Sequence, residues 1–254
     1  MTAWQLAGFL LCVVVAAGAQ SITGFALVLI LLGLTGLFEL APLADVANVG
    51  TLLSLATAVI ALRGSRHSLD RGILRATLGG SIAGVAAGVA LLAWLSANLV
   101  MVLRLLLGVV VIACAIVVLV RARPLAQRSS DASFRSVGFL SGVLGGLFSA
   151  AGPPLVYQLY RQPLSLDTVR DTLVATLAAG SVIRLAMVAG SGNFSLRALG
   201  LSAIAVPVAM GVTWWMKRHP PAWDRAVVLR VVCALLVVTG IGLAGPALQS
   251  LLRA

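Results

Sequence analysis

Charged side chains are scarce in this chain. Asp, Glu, Lys and Arg make up 10% of its 254 residues, 61% of the residues are hydrophobic, and the mean hydropathy is +1.10. A soluble domain of this length carries about a quarter charged residues, so too little polar surface is present here to face water. Several apolar runs also reach the ~20 residues with which a helix crosses a bilayer. The composition disfavours a soluble hydrophobic bundle and predicts an all-α polytopic membrane protein.

Residues that perform metal or acid–base chemistry are also few. The chain has two histidines and three cysteines, and each cysteine stands alone in an apolar run, so no metal site and no cofactor are predicted. A proton relay or an enzymatic general base needs a carboxylate or a histidine inside the membrane. The acidic residues instead fall in predicted loops or at helix ends, which disfavours a cation carrier and a membrane-embedded enzyme. They are Glu39, Asp45, Asp70, Asp131, Asp167, Asp171 and Asp224.

The charge that is present is mostly positive, with 18 Lys and Arg against 7 Asp and Glu and a formal net charge of +11. In a soluble protein this excess would indicate a nucleic-acid partner. Here the basic residues cluster in short linkers between apolar runs, chiefly 63–75 and 121–135. Basic cytoplasmic loops of a membrane protein explain this distribution, and no nucleic-acid partner is predicted.

The first apolar run resembles a signal peptide at its end but not at its beginning. Ala17-Gly18-Ala19 imitates a signal-peptidase site. No Lys or Arg occurs before Arg63, whereas a secretory signal opens with a positively charged region. We therefore predict a retained membrane segment.

Internal similarity divides the chain into two halves. The apolar block that begins at Met101 resembles the one that begins at Val227, and 18–25 falls opposite 148–155. Duplicated halves around a shared site are common in transporters. We predict a first repeat at 1–122 and a homologous second repeat at 136–254, joined by a basic linker at 123–135. The eight apolar blocks are Trp4–Phe38, Asp45–Leu62, Leu74–Leu95, Leu99–Val120, Val137–Tyr160, Val169–Ala189, Leu196–Met216 and Ala226–Leu252.

The charges of matched loops indicate that the second repeat is inverted relative to the first. The loop at 63–75 is basic and its partner at 190–195 has no Lys or Arg, whereas 96–98 is neutral and its partner at 217–225 is basic. Because basic loops stay in the cytoplasm, the halves are predicted to have opposite orientations. Four simple crossings per half would keep them parallel. We therefore predict that each half opens with a broken or re-entrant helix segment, followed by three transmembrane helices.

Both opening blocks are interrupted by small and polar residues. Irregular backbone inside a bilayer needs protein or water to satisfy its polar groups, so it usually lines a cavity. Glycine lets backbone approach a ligand, and a helix that starts after proline presents amide groups and partial positive charge to an anion. We predict that the two breaks form a substrate site near mid-membrane. Its candidate residues are Gln20, Ser21, Thr23, Gly24, Ser149, Gly152, Pro153 and Pro154.

Two further polar residues are candidates for the same site. Arg184 lies inside an apolar block, and charges in such places are costly and usually functional. Its distance from the next loop also permits the side chain to snorkel to the interface. Asn48 could hydrogen-bond substrate or a neighbouring helix. By contrast, the glycines of two other runs are predicted to serve helix packing: Gly79, Gly80, Gly84 and Gly88, and Gly142, Gly145 and Gly146.

The repeats resemble the TauE/SafE membrane proteins, the sulfite exporter family, over essentially the whole chain. The resemblance rests on GFLSGVLGGLFSAAGPPLVYQLY at Gly138–Tyr160 and, more loosely, on GAQSITGFALVLI at Gly18–Ile30. The usual run of glycines is thinned in both. The resemblance implies export of sulfite, sulfonates or small carboxylates.

Residues and resemblance together predict an inner-membrane exporter of sulfur-containing or small organic anions, working by alternating access around the two breaks. The alternative is a non-transporting membrane assembly or interaction protein, which would leave the paired polar breaks without a role. The predicted partners are a small anionic solute and the bilayer of a bacterial inner membrane, crossed several times. The sequence does not fix the oligomeric state, and a homo-oligomer is compatible with it.

Overall fold

The computed structural model describes residues 3–63, 69–98, 100–119, 125–190, 194–219, 233–234, 236–242, 244–245 and 247–248. The regular elements among them are α-helices: α1 (Ala3–Thr23), α2 (Leu27–Leu37), α3 (Leu43–Ala61), α4 (Arg71–Asn98), α5 (Val100–Leu119), α6 (Asp131–Phe148), α7 (Gly152–Tyr160), α8 (Leu166–Gly190) and α9 (Leu196–Arg218). The described residues beyond 232 are also helical. Outside the described residues lie Arg66, His67, Arg121, Arg123, Arg230 and parts of the eighth predicted block.

Within the described part of the chain, five helices are long and apolar enough to cross a membrane: α1, α3, α8, α9 and most of α4. Large apolar side chains on their outer surfaces are exposed, as lipid-facing positions should be. Exposed tryptophans lie near opposite ends of these helices, Trp4 and Trp94 toward one end and Trp214 and Trp215 toward the other. This matches the aromatic belts of membrane proteins. The predicted all-α membrane class is confirmed.

The sixth helix begins at Asp131, earlier than the predicted block at Val137 and within the predicted linker. Ser130 caps it by accepting a hydrogen bond from the Ser133 amide at 3.4 Å, and Asp131 lies at the positive end of the helix dipole. Polar capping residues therefore extend α6 beyond its apolar stretch, where hydrophobicity alone does not reveal a helix.

The chain reverses between α1 and α2. α1 ends at Thr23, Gly24 adopts a left-handed backbone with φ +85°, and α2 begins at Leu27. After α2, Leu40 lies beside Gly8 near the start of α1, with its methyl carbons 3.8 Å from a Cβ placed on the glycine. The pair therefore returns to the end of the bundle at which it began.

The chain reverses in the same way between α6 and α7. Ser149, between the two helices, has a left-handed backbone with φ 55°. Beyond α7, the Gln162 side chain donates to Ser129 Oγ at 3.1 Å, and the Leu125 amide donates to the Arg161 carbonyl at 2.8 Å. The end of α7 thus lies beside the segment that leads into α6.

Two glycine stripes hold α4 against α6. They are Gly80, Gly84 and Gly88 on α4 and Gly138, Gly142 and Gly146 on α6. A Cβ added at any of them would run into a backbone carbonyl of the other helix, so the backbones touch as small-residue membrane interfaces allow. The predicted packing role is confirmed for Gly80, Gly84, Gly88, Gly142 and Gly146, and Gly138 shares it. It is wrong for Gly79, which lies on the exposed side of α4 with nothing within 4 Å of its Cβ position, while Gly145 faces Ala151 in the chain reversal.

One end of the bundle holds most of the described basic residues. There Lys217 Nζ donates to the Ile60 and Ala61 carbonyls at 2.8 and 3.1 Å, and Arg128 lies 3.8 Å from Asp70. The same end includes Arg63, Arg71, Arg75, Arg135, Arg161, Arg170 and Arg218. The other end holds Arg197, together with Arg104, which pairs with Glu39 at 2.9 Å. The positive-inside rule therefore places the basic end in the cytoplasm.

Candidate functional site

Arg184 lies in the interior of the bundle, with 1% of its surface exposed. From α8 its Nε donates to the Gly146 carbonyl at 3.0 Å, and its Nη1 donates to Asn48 Oδ1 at 3.0 Å and Thr51 Oγ1 at 2.6 Å. The side chain therefore points inward and does not snorkel. Among the described residues, every acceptor that it contacts is neutral.

The other guanidinium nitrogen of Arg184, Nη2, is buried and has no hydrogen-bond partner among the described residues. Over the same residues no carboxylate lies within ion-pair distance of Arg184. Buried polar groups are nearly always hydrogen-bonded, and a buried charge without a counter-charge costs several kcal/mol. Nη2 is therefore a charged donor whose hydrogen-bonding capacity the described residues leave unused.

A cavity beside Arg184 is walled by both chain reversals. Gln20, Gly24 and Phe25 line it from the first reversal, and Ser149 and Gly152 line it from the second. Hydroxyl-bearing residues from three helices complete the polar part of the wall: Ser54 of α3, Ser81 of α4, and Thr176 and Ser181 of α8 are among its lining residues. The space open to water-sized molecules is ≈ 40 Å³, enough for about three waters.

The start of α7 contributes backbone polarity to this cavity. The first four amide groups of a helix have no partner within the helix. Pro153 and Pro154 hold two of those positions without an N–H, which leaves the amides of Ala151 and Gly152. Gly152 also packs closely, because a Cβ there would meet the Phe25 ring at 3.0 Å. The two reversals therefore touch at the cavity, where α7 adds amide donors and partial positive charge.

Thr51 connects the arginine to the second reversal. Besides accepting from Arg184, its hydroxyl shares a hydrogen bond with Ser149 Oγ at 2.9 Å and donates to the Ala47 carbonyl at 3.0 Å. α3 thus positions both the guanidinium and a hydroxyl of the cavity wall. Asn48, one turn earlier on α3, holds the guanidinium from the same side.

The structure brings together five of the predicted residues at the cavity: Gln20, Gly24, Ser149, Gly152 and Arg184 line it. Asn48 contacts Arg184 directly. Pro153 and Pro154 occupy the first turn of α7.

Ser21 and Thr23, which were also predicted to belong to the site, are not among the residues that line the cavity. Their hydroxyls donate to carbonyls of their own helix, at Ala17 and Ala19, at 2.9 and 2.8 Å. The Ser21 carbonyl accepts from Arg170 Nη2 at 3.1 Å. Adjacent residues on a helix point in different directions, so only Gln20 and Gly24 of this segment line the cavity.

Sequence reasoning missed Thr51, Ser54, Ser81, Thr176 and Ser181. A signal was present for the first two, because Asn48, Thr51 and Ser54 recur at every third position on an otherwise apolar helix. Polar residues on one face of a membrane helix mark a contact or a cavity. Ser81, Thr176 and Ser181 lie on two other helices, and only the packing of α4 and α8 brings them to the cavity.

Replacing Thr51 by valine is expected to lower anion transport about tenfold. Valine keeps the shape of threonine but removes the hydroxyl that holds Arg184 and Ser149, and such a hydrogen bond is worth about 1.5 kcal/mol. Flux into proteoliposomes measures the effect, and Thr51→Ser should restore transport. Thr35→Val is the control, since that buried hydroxyl bonds only to carbonyls of its own helix. Equal losses in Thr51→Val and Thr35→Val would contradict the positioning role.

Comparison with known proteins gives two matches. The family model described as "Sulfite exporter TauE/SafE" matches residues 9–243. A protein of Cupriavidus necator named "Probable sulfite/organosulfonate exporter TauE" is 36% identical over 231 residues, which cover 91% of this chain and 90% of that protein. No solved structure matches the chain.

Proposed function

Because the chain belongs to the sulfite exporter TauE/SafE family, and is thus a multi-pass transporter of the bacterial inner membrane and not an enzyme, we propose that it exports sulfite, organosulfonates or related small organic anions. The name of the Cupriavidus relative supports a sulfur oxyanion as the substrate. The observation that carries the proposal is the buried Nη2 of Arg184, which no described residue neutralises.

The anion binds in the cavity with its oxygens toward Arg184 and the start of α7. A sulfite or sulfonate head group has three oxygens, all of them acceptors. Arginine supplies charge-assisted donors, and the Gly152 amide and Ser149 hydroxyl supply neutral ones. A volume that holds about three waters suits a head group of this size. The same site repels cations, because Arg184 is the one charged residue among the described residues that line it.

The two halves, 1–122 and 136–254, act as inverted repeats that rock against each other. The helix pairs α1–α2 and α6–α7 support this arrangement, because each pair begins and ends at one end of the bundle and the two pairs use opposite ends. Leu40 lies beside Gly8 in the first pair, and Gln162 hydrogen-bonds to Ser129 in the second. Contacts between the halves meet at the cavity, through Phe25 against Gly152 and through the bonds of Thr51. Motion of one half would therefore change access to a site that both halves build.

The competing function is a membrane assembly or interaction protein. A scaffold gains nothing from a buried guanidinium nitrogen without a partner, because the desolvation of that charge opposes folding. Transport explains the cost, since a charge that is fully satisfied before the anion arrives would not bind it. The contacts of Arg184 therefore favour transport.

The proposal is tested by flux of sulfite, sulfoacetate, taurine and small carboxylates in proteoliposomes made with the purified full chain. We expect saturable uptake of sulfite or an organosulfonate, competition among the transported anions, and no uptake of choline. Liposomes without protein are the control for leak. Absence of saturable flux for every anion, from protein that unfolds cooperatively on heating and is thus folded, would reject the transport of these anions and leave the assembly role.

A further inference from the structure

A groove of ≈ 490 Å³ opens between the beginnings of α4 and α6, at the basic end of the bundle and away from the central cavity. Its lining residues are Gly72, Arg75, Ala76, Gly79, Asp131 and Arg135. Arg75 and Arg135 each lie four residues into their helix, about 6 Å below the helix start. Because the positive-inside rule places this end in the cytoplasm, we assign the two arginines to the headgroup level of the cytoplasmic leaflet.

Glycine keeps this groove open. Gly79 has nothing within 4 Å of its Cβ position, although Gly80 beside it packs against the backbone of α6. The two helices therefore touch along their glycine stripes, while the exposed edge of the contact has no side chain to fill it. A concave surface results, with an arginine on each helix.

The groove is positively charged. Asp131 lies in it but is 3.6 Å from Arg128, which is also 3.8 Å from Asp70. Arg75 and Arg135 are exposed, and within the described residues no acidic side chain lies within ion-pair distance of either. Two arginines thus face the groove with their charge available.

Toward the membrane centre the groove continues into an apolar surface. Phe139 follows Arg135 by one turn of α6, and Ile82 follows Gly79 by one turn of α4. Phe139 is 46% exposed and Ile82 is 52% exposed. Positive charge at headgroup depth and exposed apolar side chains below it complement the two parts of an anionic phospholipid.

We propose that this groove is a binding site for an anionic phospholipid of the cytoplasmic leaflet. The phosphate lies between Arg75 and Arg135, and an acyl chain lies along Ile82 and Phe139. The site is independent of the anion cavity and of the function proposed for it. Its occupant also bridges α4 and α6, so it stabilises the helix pair that the glycine stripes form.

The proposal is tested by native mass spectrometry of the full chain in detergent, titrated with phosphatidylglycerol or with phosphatidylcholine of the same acyl chains. We expect phosphatidylglycerol to bind about 30-fold more tightly than phosphatidylcholine, because each of the two arginines contributes about fivefold in affinity. The double variant Arg75→Gln/Arg135→Gln should lose this preference. Arg75→Lys/Arg135→Lys should keep most of it, which separates loss of charge from loss of fold.

The matched control is Arg63→Gln/Arg71→Gln, two exposed arginines at the same end that do not line the groove. The control should keep the full preference, and an equal loss in both glutamine doubles would show a diffuse surface effect and reject the site. Equal binding of the two lipids to the unmodified chain would also reject it. Displacement of phosphatidylglycerol by millimolar glycerol phosphate would reject the lipid and identify a site for soluble phosphates.

Discussion

Arg184→Gln is expected to lower anion transport about 100-fold while the protein stays folded. Arginine at this position offers the anion a charged donor at Nη2, and a hydrogen bond to a charged group contributes up to about 3 kcal/mol, or about 100-fold in affinity. Glutamine is neutral and shorter. Arg184→Lys keeps the charge but has no second nitrogen to hold against α3, so an intermediate loss is expected.

The stability of the Arg184→Gln protein should change little, because two effects oppose each other. The variant loses donors to Asn48 and Thr51, but it also removes a buried charge that no described carboxylate neutralises. Sulfite should therefore raise the melting temperature of the unmodified protein and not that of the variant. Arg197→Gln, an exposed arginine at the opposite end of the bundle from the cytoplasm, is the control. A variant that still transports sulfite at the normal rate would contradict the role of Arg184.

Gly84→Leu is expected to prevent stable folding. A Cβ at position 84 of α4 would overlap the Phe139 carbonyl of α6. It would also lie 3.0 Å from the Cα of Gly142, which is on α6 as well. Both obstacles are backbone, which cannot rotate away as a side chain can, so α4 and α6 must separate. Overpacking of this kind costs about 3 kcal/mol or more, a large part of the stability of a typical protein. Gly84→Ala should show the same effect in smaller measure.

The measurement is the fraction of monodisperse protein after extraction, together with its melting temperature. Gly200→Leu on α9 is the matched control, because nothing lies within 4 Å of its Cβ position and leucine is a better helix former than glycine. That variant should be recovered as well as the unmodified protein. Normal recovery and melting of Gly84→Leu would show that the close approach of α4 and α6 is not needed for the fold.

The class of protein could be predicted from the sequence. Apolar runs of this length have one stable solution, the membrane helix, because a bilayer leaves no other way to satisfy the backbone. The left-handed residues Gly24 and Ser149 lie in segments where small residues and prolines interrupt the apolar pattern. Helix ends were less predictable, since the polar cap at Ser130 adds helix that hydropathy does not show.

The orientation of individual side chains could be predicted only in part. A packing role was predicted from the sequence for both Gly79 and Gly80, yet Gly79 faces open space and Gly80 contacts the backbone of α6. It also grouped Ser21 and Thr23 with Gln20, although only Gln20 lines the cavity. A break in a helix is visible in composition, but the direction of each residue near it depends on the exact helix phase.

Hydropathy, residue spacing and family motifs suffice to identify this chain as a helical membrane protein of the TauE/SafE family with an arginine inside an apolar segment. The reason is local: hydrophobicity, glycine and proline act on the backbone in which they stand. Tertiary packing is what brings Arg184 to Asn48 and Thr51, which lie 136 and 133 residues away, and leaves its buried Nη2 without a partner among the described residues. Contacts at such separations depend on how whole helices pack, and helical periodicity within one segment does not specify which face of another segment it will meet.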